Sequence, residues 1–167
     1  MLKPAILYAE QVTEGFQKLL YTDTMYLETG YAGEQYIPDV TEVPGCGRFN
    51  YAIVDSNDEV IGFISYDVDY YISKAYNFGL ISFDRGNPLI GKDLFSKMEE
   101  LVNIFHRVEW RMVGGNPVER SYDKFCKMHN GTKHILKDAL KDNYGKYRDD
   151  VIYEIVKETS YEKSTIN

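Results

Sequence analysis

A glycine-containing turn between an apolar stretch and an amphipathic helix is the first feature that could perform chemistry. It lies in residues 81–95, which read ISFDRGNPLIGKDLF. Asn87 and Pro88 are typical of a helix N-cap and first helical position, where backbone N–H groups are unpaired and bind phosphate. The groups that would form such a phosphate site are Arg85, Gly86, Asn87, Leu89, Ile90, Gly91 and Lys92. The same pattern is also typical of an ordinary strand-to-helix connection.

A second group of reactive side chains follows later in the chain. Cys126, His129 and His134 have the spacing C-x2-H-x4-H. A structural zinc usually takes four ligands, and Cys46 is far away in sequence, so the pattern predicts no metal site. A Cys–His hydrolase is also disfavoured because both residues lie near one helix end without an oxyanion turn.

Composition narrows the classes of function. The chain has 167 residues, 44% hydrophobic and 27% charged, which is typical of a globular domain. A net charge of −7 argues against a nucleic-acid or anionic-membrane surface, which needs clustered Lys and Arg. The N-terminal stretch lacks signal-peptide and membrane-anchor patterns, and two cysteines fit a reducing compartment, so we expect a cytoplasmic protein without membrane contact.

The elements that must position these residues follow from hydrophobic periodicity and from glycine and proline punctuation. Helices are predicted at 5–20, 22–29, 88–106 and 117–129. Strands are predicted at 49–54, 60–66, 75–83, 107–113, 134–136 and 151–156. Residues 30–48 hold four glycines and two prolines and are predicted to form a long loop.

This order predicts an α/β domain with a mixed sheet flanked by helices. The helix at 88–106 is a crossover connection, so its flanking strands should be parallel neighbours. The sequence shows no repeat or linker, so we expect one domain over 1–167. Its parts would be N-terminal helices and acceptor-side loop (1–48), a core (49–156) and a tail (157–167).

Residues 48–156 resemble the Gcn5-related N-acetyltransferase (GNAT) superfamily in element order and in the turn. The family pattern is Q/R-x-x-G-x-G/A, followed by a helix that begins with two apolar residues. Gly91 matches its last position, and Leu94-Phe95 follow. The sequence departs from the pattern at Leu89, where a glycine is expected, and at Gly86, where Gln or Arg is expected.

The resemblance implies a set of functional residues. The family binds acetyl-coenzyme A (acetyl-CoA) as co-substrate at the turn and along the central strand, and needs no metal. An N–H of Leu80 or Ile81 would face the thioester carbonyl, the pantetheine would pair along Ile81 to Phe83, and Asn116 would bind the pantetheine arm. Tyr122 would protonate the leaving thiolate, since a phenol of pKa about 10 can donate to a thiolate whose conjugate acid is near 8.5.

The function implied is transfer of acetyl from acetyl-CoA to a primary amine, on a small molecule or peptide. Glu109, Asp67 and Asp69 are candidate general bases, and none is assigned. The alternative is a non-catalytic domain of the same fold that binds a ligand or partner protein, for which the altered turn is the support. The acceptor, the acyl chain length and a homodimer are left open.

Overall fold

Seven strands form one mixed sheet at the centre of the described chain. The computed structural model describes residues 1–21, 40, 47–142 and 144–157. The strands are β1 (Leu2–Pro4), β2 (Arg48–Val54), β3 (Val60–Asp69), β4 (Lys74–Ser82), β5 (Arg107–Val113), β6 (Thr132–Lys141) and β7 (Tyr147–Val156). The α-helices are α1 (Ala9–Leu20), α2 (Pro88–Ile104) and α3 (Glu119–Met128). The sheet order is β1-β2-β3-β4-β5-β7-β6.

The crossover through α2 sets the arrangement of the sheet centre. β4 and β5 are parallel neighbours, and every other strand pair is antiparallel. Both strands are internal, and of their residues only Asn77 is exposed. The mixed α/β architecture predicted from the sequence is therefore confirmed.

The two faces of the sheet carry separate hydrophobic cores. On one face, α1 packs over β2, β3 and the end of β4, with Phe16 edge-on to Phe63 and Phe83 at centroid distances of 5.4 Å. On the other face, α2 and α3 share a larger core that includes Trp110, Tyr122 and Tyr153. None of the described helices has the length and apolar character to cross a lipid bilayer.

The ends of the sheet differ from the prediction. The sequence reading missed β1, and the predicted first helix begins with a 3-10 turn at Ala5–Tyr8. β6 was predicted only over 134–136; it is an almost wholly exposed edge strand, so it lacks the apolar alternation that would reveal its length. The predicted helix 22–29, nearly all of the loop 30–48 and the tail beyond residue 157 lie outside the described residues.

Candidate active site

β4 and β5 separate after pairing for only part of their length. Their register runs from Lys74 opposite Arg107 to Phe78 opposite Trp110, yet β4 continues to Ser82 and β5 to Val113. A bulge accompanies this separation, since Asn77 has φ of +51°. The result is a gap between two neighbouring strands at the centre of the sheet, which we call the β4–β5 gap.

The register of β4 decides which of its main-chain groups face this gap. Phe83 donates its N–H to the Ile61 carbonyl over 2.9 Å, and Ile81 lies opposite Phe63. The direction of main-chain hydrogen bonds alternates along an antiparallel strand, so the N–H and C=O groups of Ile81 and Phe83 point toward β3. The N–H and C=O groups of Leu80 and Ser82 therefore point toward the β4–β5 gap.

The Ser82 side chain points to the face of the sheet that α2 covers, the face on which Leu80 packs against the core. Its Oγ is shielded from solvent and has no hydrogen-bond partner among the described residues. An unpaired buried hydroxyl is unfavourable, so such a group is a candidate for contact with a ligand. The sequence reading named Leu80, Ile81 and Phe83 and missed Ser82.

The turn after β4 leads directly into α2. Gly86 has φ of +91°, a conformation that glycine adopts without strain. Asn87 caps the helix as predicted: its Oδ1 accepts the Leu89 N–H over 3.1 Å, and its carbonyl accepts the Ile90 N–H over 3.2 Å. The Leu89 and Ile90 N–H groups are thus already hydrogen-bonded within the turn.

The electrostatic surroundings of the turn are mixed. Arg85 and Lys92 are exposed, as a cationic contribution requires, but Asp84 is exposed beside them. The Asn87 side-chain amide donates to the Asp84 carboxylate over 2.8 Å. At Gly91 and at Gly86, an added Cβ would meet no atom within 4 Å, so space is open over both glycines.

A second turn follows β5, at the end where β5 pairs with β7 but no longer with β4. Asn116 is 8% exposed, and its Oδ1 accepts the Val118 N–H over 3.0 Å. Its carbonyl accepts the Glu119 N–H over 2.9 Å. Asn116 therefore stabilises the turn before α3, whose N-cap is Val118, and the helix predicted to begin at 117 begins at Glu119.

Tyr122 lies in α3 with its ring inside the core. It is fully buried, and its ring contacts those of Trp110 and Tyr153 edge-on, each at 5.8 Å between centroids. Burial raises the pKa of the Tyr122 hydroxyl, so it is protonated at neutral pH. Within the described part of the chain this hydroxyl has no hydrogen-bond partner, nor has the nearby Trp110 Nε1.

Two of the candidate bases are held by cations on the α1 face of the sheet. Glu109 binds Lys74 at 2.7 Å and Arg107 at 2.5 Å. Burial acts to raise the pKa of Glu109, but the hydrogen bonds from Lys74 and Arg107 outweigh it and leave the pKa below its ordinary value. The pKa of Asp67 is lowered in the same way, because hydrogen bonds from Arg48 and Asn77 outweigh burial.

Asp69, the third candidate base, caps the β3–β4 turn instead. Its Oδ1 accepts the N–H groups of Tyr71 and Ile72 at 2.9 and 3.3 Å. Asp69 pairs with Lys74, at the end of the sheet where β4 and β5 are still joined. The Gly62–Ser82 pair lies at the opposite end, beside the β4–β5 gap. The structure therefore places Asp69 away from Ser82 and the α2 turn.

The two histidines of the metal hypothesis pair with carboxylates, and the cysteine is buried. His129 binds Glu99 and His134 binds Glu154, both at 2.9 Å, while Cys126 is buried. The part of the chain that the structure describes contains no group of three or more metal-ligating side chains.

Comparison with known proteins shows which solved structures share this fold. No protein-family model and no curated protein sequence matches the chain. Solved structures do match: a Gcn5-related N-acetyltransferase from Kribbella flavida aligns over 94% of this chain and 97% of its own, with a TM-score of 0.66 at 15% identity. The chain has the GNAT fold.

Two further structures with the GNAT fold extend this likeness. A spermidine N-acetyltransferase from Vibrio cholerae, solved in complex with CoA and spermine, has a TM-score of 0.62 at 13% identity. The alignment covers 93% of this chain and 94% of that protein. A probable acetyltransferase from Chromobacterium violaceum has a TM-score of 0.61 at 15% identity, over 93% of this chain and 85% of its own.

The residues of this GNAT fold that the sequence reading missed share one property. The roles of Ser82, Asp84 and Glu119 depend on their neighbours in the folded chain and not on a local sequence pattern. The one exception is Ser82, which the alternation of residues along β4 could have indicated. That signal was available for Ser82, which lies two residues after Leu80 and hence on the same side of the strand.

Proposed function

We propose that this protein is an N-acetyltransferase that transfers the acetyl group of acetyl-CoA to a primary amine. The observation that supports this most is the β4–β5 gap leading into a glycine turn at the start of α2. The gap offers main-chain groups to an extended pantetheine arm, and the turn offers a positive helix end to a pyrophosphate. The fold matches that of known acetyltransferases.

The fit of the co-substrate to these residues is good along the strand and incomplete at the turn. Leu80 and Ser82 face the gap, and space is open at Gly86 and Gly91. At the turn, the Asn87 side chain occupies the Leu89 N–H, so phosphate binding there requires Asn87 to rotate away. Arg85, Lys92 and Asn116 complete the proposed binding set.

The chain's own groups perform three tasks in this proposal. Acetyl-CoA supplies a thioester, whose acyl group is activated toward amines. The N–H of Leu80, a preformed main-chain donor that faces the gap, stabilises negative charge on the acyl oxygen. Tyr122 is protonated at neutral pH and donates a proton to the thiolate that leaves; burial raises the pKa of this hydroxyl, so it is a weaker acid here than a free phenol.

The acceptor amine must arrive neutral or lose a proton at the site. Glu109 and Asp67 are held as carboxylates by cations, which makes both weak proton acceptors, so we assign deprotonation to water. The segment 22–46 of the sequence contains the acids Asp23, Glu28, Glu34, Asp39 and Glu42 and no Lys or Arg. A cationic amine is the acceptor class that this charge favours.

A non-catalytic binding domain is the second candidate. The hydrogen bonds that Asn87 makes with Leu89, Ile90 and Asp84 favour it, because they fill the site where phosphate groups would bind. This candidate predicts that coenzyme A does not bind. The two functions are therefore separable by one binding measurement.

Thermal unfolding with and without acetyl-CoA tests the proposal, in the wild type and in Gly91→Glu. Ligand at one hundred times its dissociation constant stabilises a protein by about 2.7 kcal/mol, a shift of roughly 5–10 °C at this chain length. Because space is open at Gly91, the glutamate folds without a clash and repels phosphate. A shift in the wild type that is lost in Gly91→Glu supports the proposal, and no shift at millimolar ligand contradicts it.

A second assay tests transfer itself. Thiol release from acetyl-CoA would be measured with mono-, di- and polyamines and with lysine peptides as acceptors. Acetyl-CoA binding without thiol release from any of these amines would contradict acetyl transfer to a primary amine.

A further inference from the structure

A cluster of charged side chains links α3, β6 and β7 next to the turn that follows β5. Glu119 Oε2 accepts the Gly115 N–H over 2.9 Å, and its Oε1 accepts from Lys133 Nζ over 2.9 Å. Lys133, on β6, also donates to Asp123 over 2.7 Å. Asp123 in turn accepts from the Tyr153 hydroxyl on β7 over 2.7 Å.

Glu119 is the one member of this cluster that bonds to the turn. Gly115 has φ of +83°, and an added Cβ there would meet no atom within 4 Å. The ends of the turn are held by main-chain hydrogen bonds, from Gly114 to the Asp149 carbonyl over 2.7 Å and from Asn116 to the Val113 carbonyl over 3.2 Å. The Gly115 peptide between them is exposed and unpacked, and its N–H is bound by the Glu119 carboxylate. Bonds to a charged group are about twice as strong as neutral ones.

Lys133 fixes the carboxylate that makes this bond. The Glu119 and Lys133 side chains are 30% and 26% exposed, so the pair is partly shielded from water and is stronger than a surface ion pair. Lys133 Nζ also lies over the Tyr153 ring, 5.5 Å from its centroid. Each oxygen of the Glu119 carboxylate is thus hydrogen-bonded, one to Gly115 and the other to Lys133.

We propose that Glu119 is a positioning residue: its carboxylate, held by Lys133, orients the Gly115 peptide and with it the backbone that carries Asn116. This inference rests on the proposed function, because Asn116 is there a ligand of the pantetheine arm. Asn116 follows Gly115 directly, and the bond at Gly115 restrains the backbone that carries it. Glu119 itself does not touch the substrate.

Coenzyme A binding by calorimetry tests this in the full chain. In Glu119→Ala, which loses both bonds, we expect the Kd to rise about tenfold, equivalent to about 1.4 kcal/mol. Glu119→Gln keeps an oxygen for the Gly115 N–H and should raise the Kd two- to threefold. Arg120→Ala, the neighbouring exposed position of α3, should leave it unchanged.

Amide hydrogen exchange at Gly115 gives a readout that does not depend on ligand. We expect it to accelerate in Glu119→Ala and not in Arg120→Ala, at matched thermal stability. Exchange and Kd that match the wild type in Glu119→Ala would overturn the inference, and a variant that only melts earlier would show a structural role alone.

Failure of the proposed function gives a different result. A wild type that does not bind coenzyme A contradicts the acetyltransferase and, with it, the donor-binding role of Glu119. A wild type that binds, beside a Glu119→Ala variant that binds equally well, contradicts the Glu119 inference alone.

Discussion

Asp84 and Asn87 are hydrogen-bonded to each other across the start of α2, with the Asn87 amide nitrogen 2.8 Å from the Asp84 carboxylate. The Asn87 main-chain N–H also donates to the Asp84 carbonyl over 3.2 Å. A carboxylate therefore stands at the positive helix end that the proposed function assigns to pyrophosphate. The two hydrogen bonds fix the Asn87 side chain over the start of α2, and the Asp84 carboxylate places negative charge where phosphate would bind.

Replacing Asp84 by asparagine should strengthen coenzyme A binding. The change removes a repulsive charge and loosens the hold on Asn87, and charge effects at an exposed helix end of about 0.3–1 kcal/mol correspond to a two- to fivefold lower Kd. Titration calorimetry at low and high salt would measure this, with a smaller gain at high salt. Glu10→Gln on exposed α1 removes the same charge and should change nothing; an equal gain there would attribute the effect to net charge.

Ser82→Ala should raise the KM for acetyl-CoA about three- to tenfold and leave the KM for the amine unchanged. Ser82 Oγ is buried without a partner within the described chain, on a residue whose main chain faces the β4–β5 gap, so we expect the loss of a hydrogen bond of about 0.5–1.5 kcal/mol to bound ligand. Steady-state kinetics with each substrate varied separately would measure this. Ser96→Ala, an exposed serine of α2, is the matched control. A KM for acetyl-CoA equal to that of the wild type would exclude contact of Ser82 with the donor.

Asp67→Asn should lower the melting temperature at pH 7 by about 2–4 °C, with the difference shrinking as pH falls. Because the folded pKa of Asp67 lies below its unfolded value of about 3.9, its contribution is complete above that value and is lost as pH falls through the folded pKa. Melting curves at pH 7, 4 and 2 would follow this. Glu59→Gln, an exposed acid of the β2–β3 turn, should show no such convergence, and a Tm difference that persists at pH 2 would contradict the electrostatic explanation.

Local signals in the sequence were sufficient for the centre of the fold. The Asn87-Pro88 pair, the apolar stripe of α2 and the flanking strands predict a crossover, and the structure has Asn87 as N-cap and β4 parallel to β5. The first strand and most of β6 were missed. Three residues at one edge and an exposed strand carry little periodic signal.

The face that each residue of β4 presents was not accessible from the sequence, because a bulge changes it. Ala75 and Phe78 both lie in the core under α2, although alternation alone would put residues three apart on opposite faces. The positive φ of Asn77 resets the alternation, so the residues after it face the opposite way from what an unbroken strand starting at Lys74 would give. That Leu80 and Ser82 share a side follows from their spacing alone. The bond from Glu119 to Gly115 and its support from β6 likewise depend on tertiary contacts that no local pattern encodes.

Tyr122→Phe should lower kcat about 10²- to 10⁴-fold, the range for loss of a general acid, and leave the melting temperature equal or slightly higher. The structure separates these effects because the Tyr122 hydroxyl is buried without a partner in the described residues, so removing it forfeits no hydrogen bond and relieves an unpaired polar group. Single-turnover rates and thermal melts would measure both. Tyr153→Phe is the matched control: its hydroxyl bonds Asp123, so its loss should reduce stability and spare kcat. A Tyr122→Phe variant with wild-type kcat would show that another group, or water, protonates the leaving thiolate.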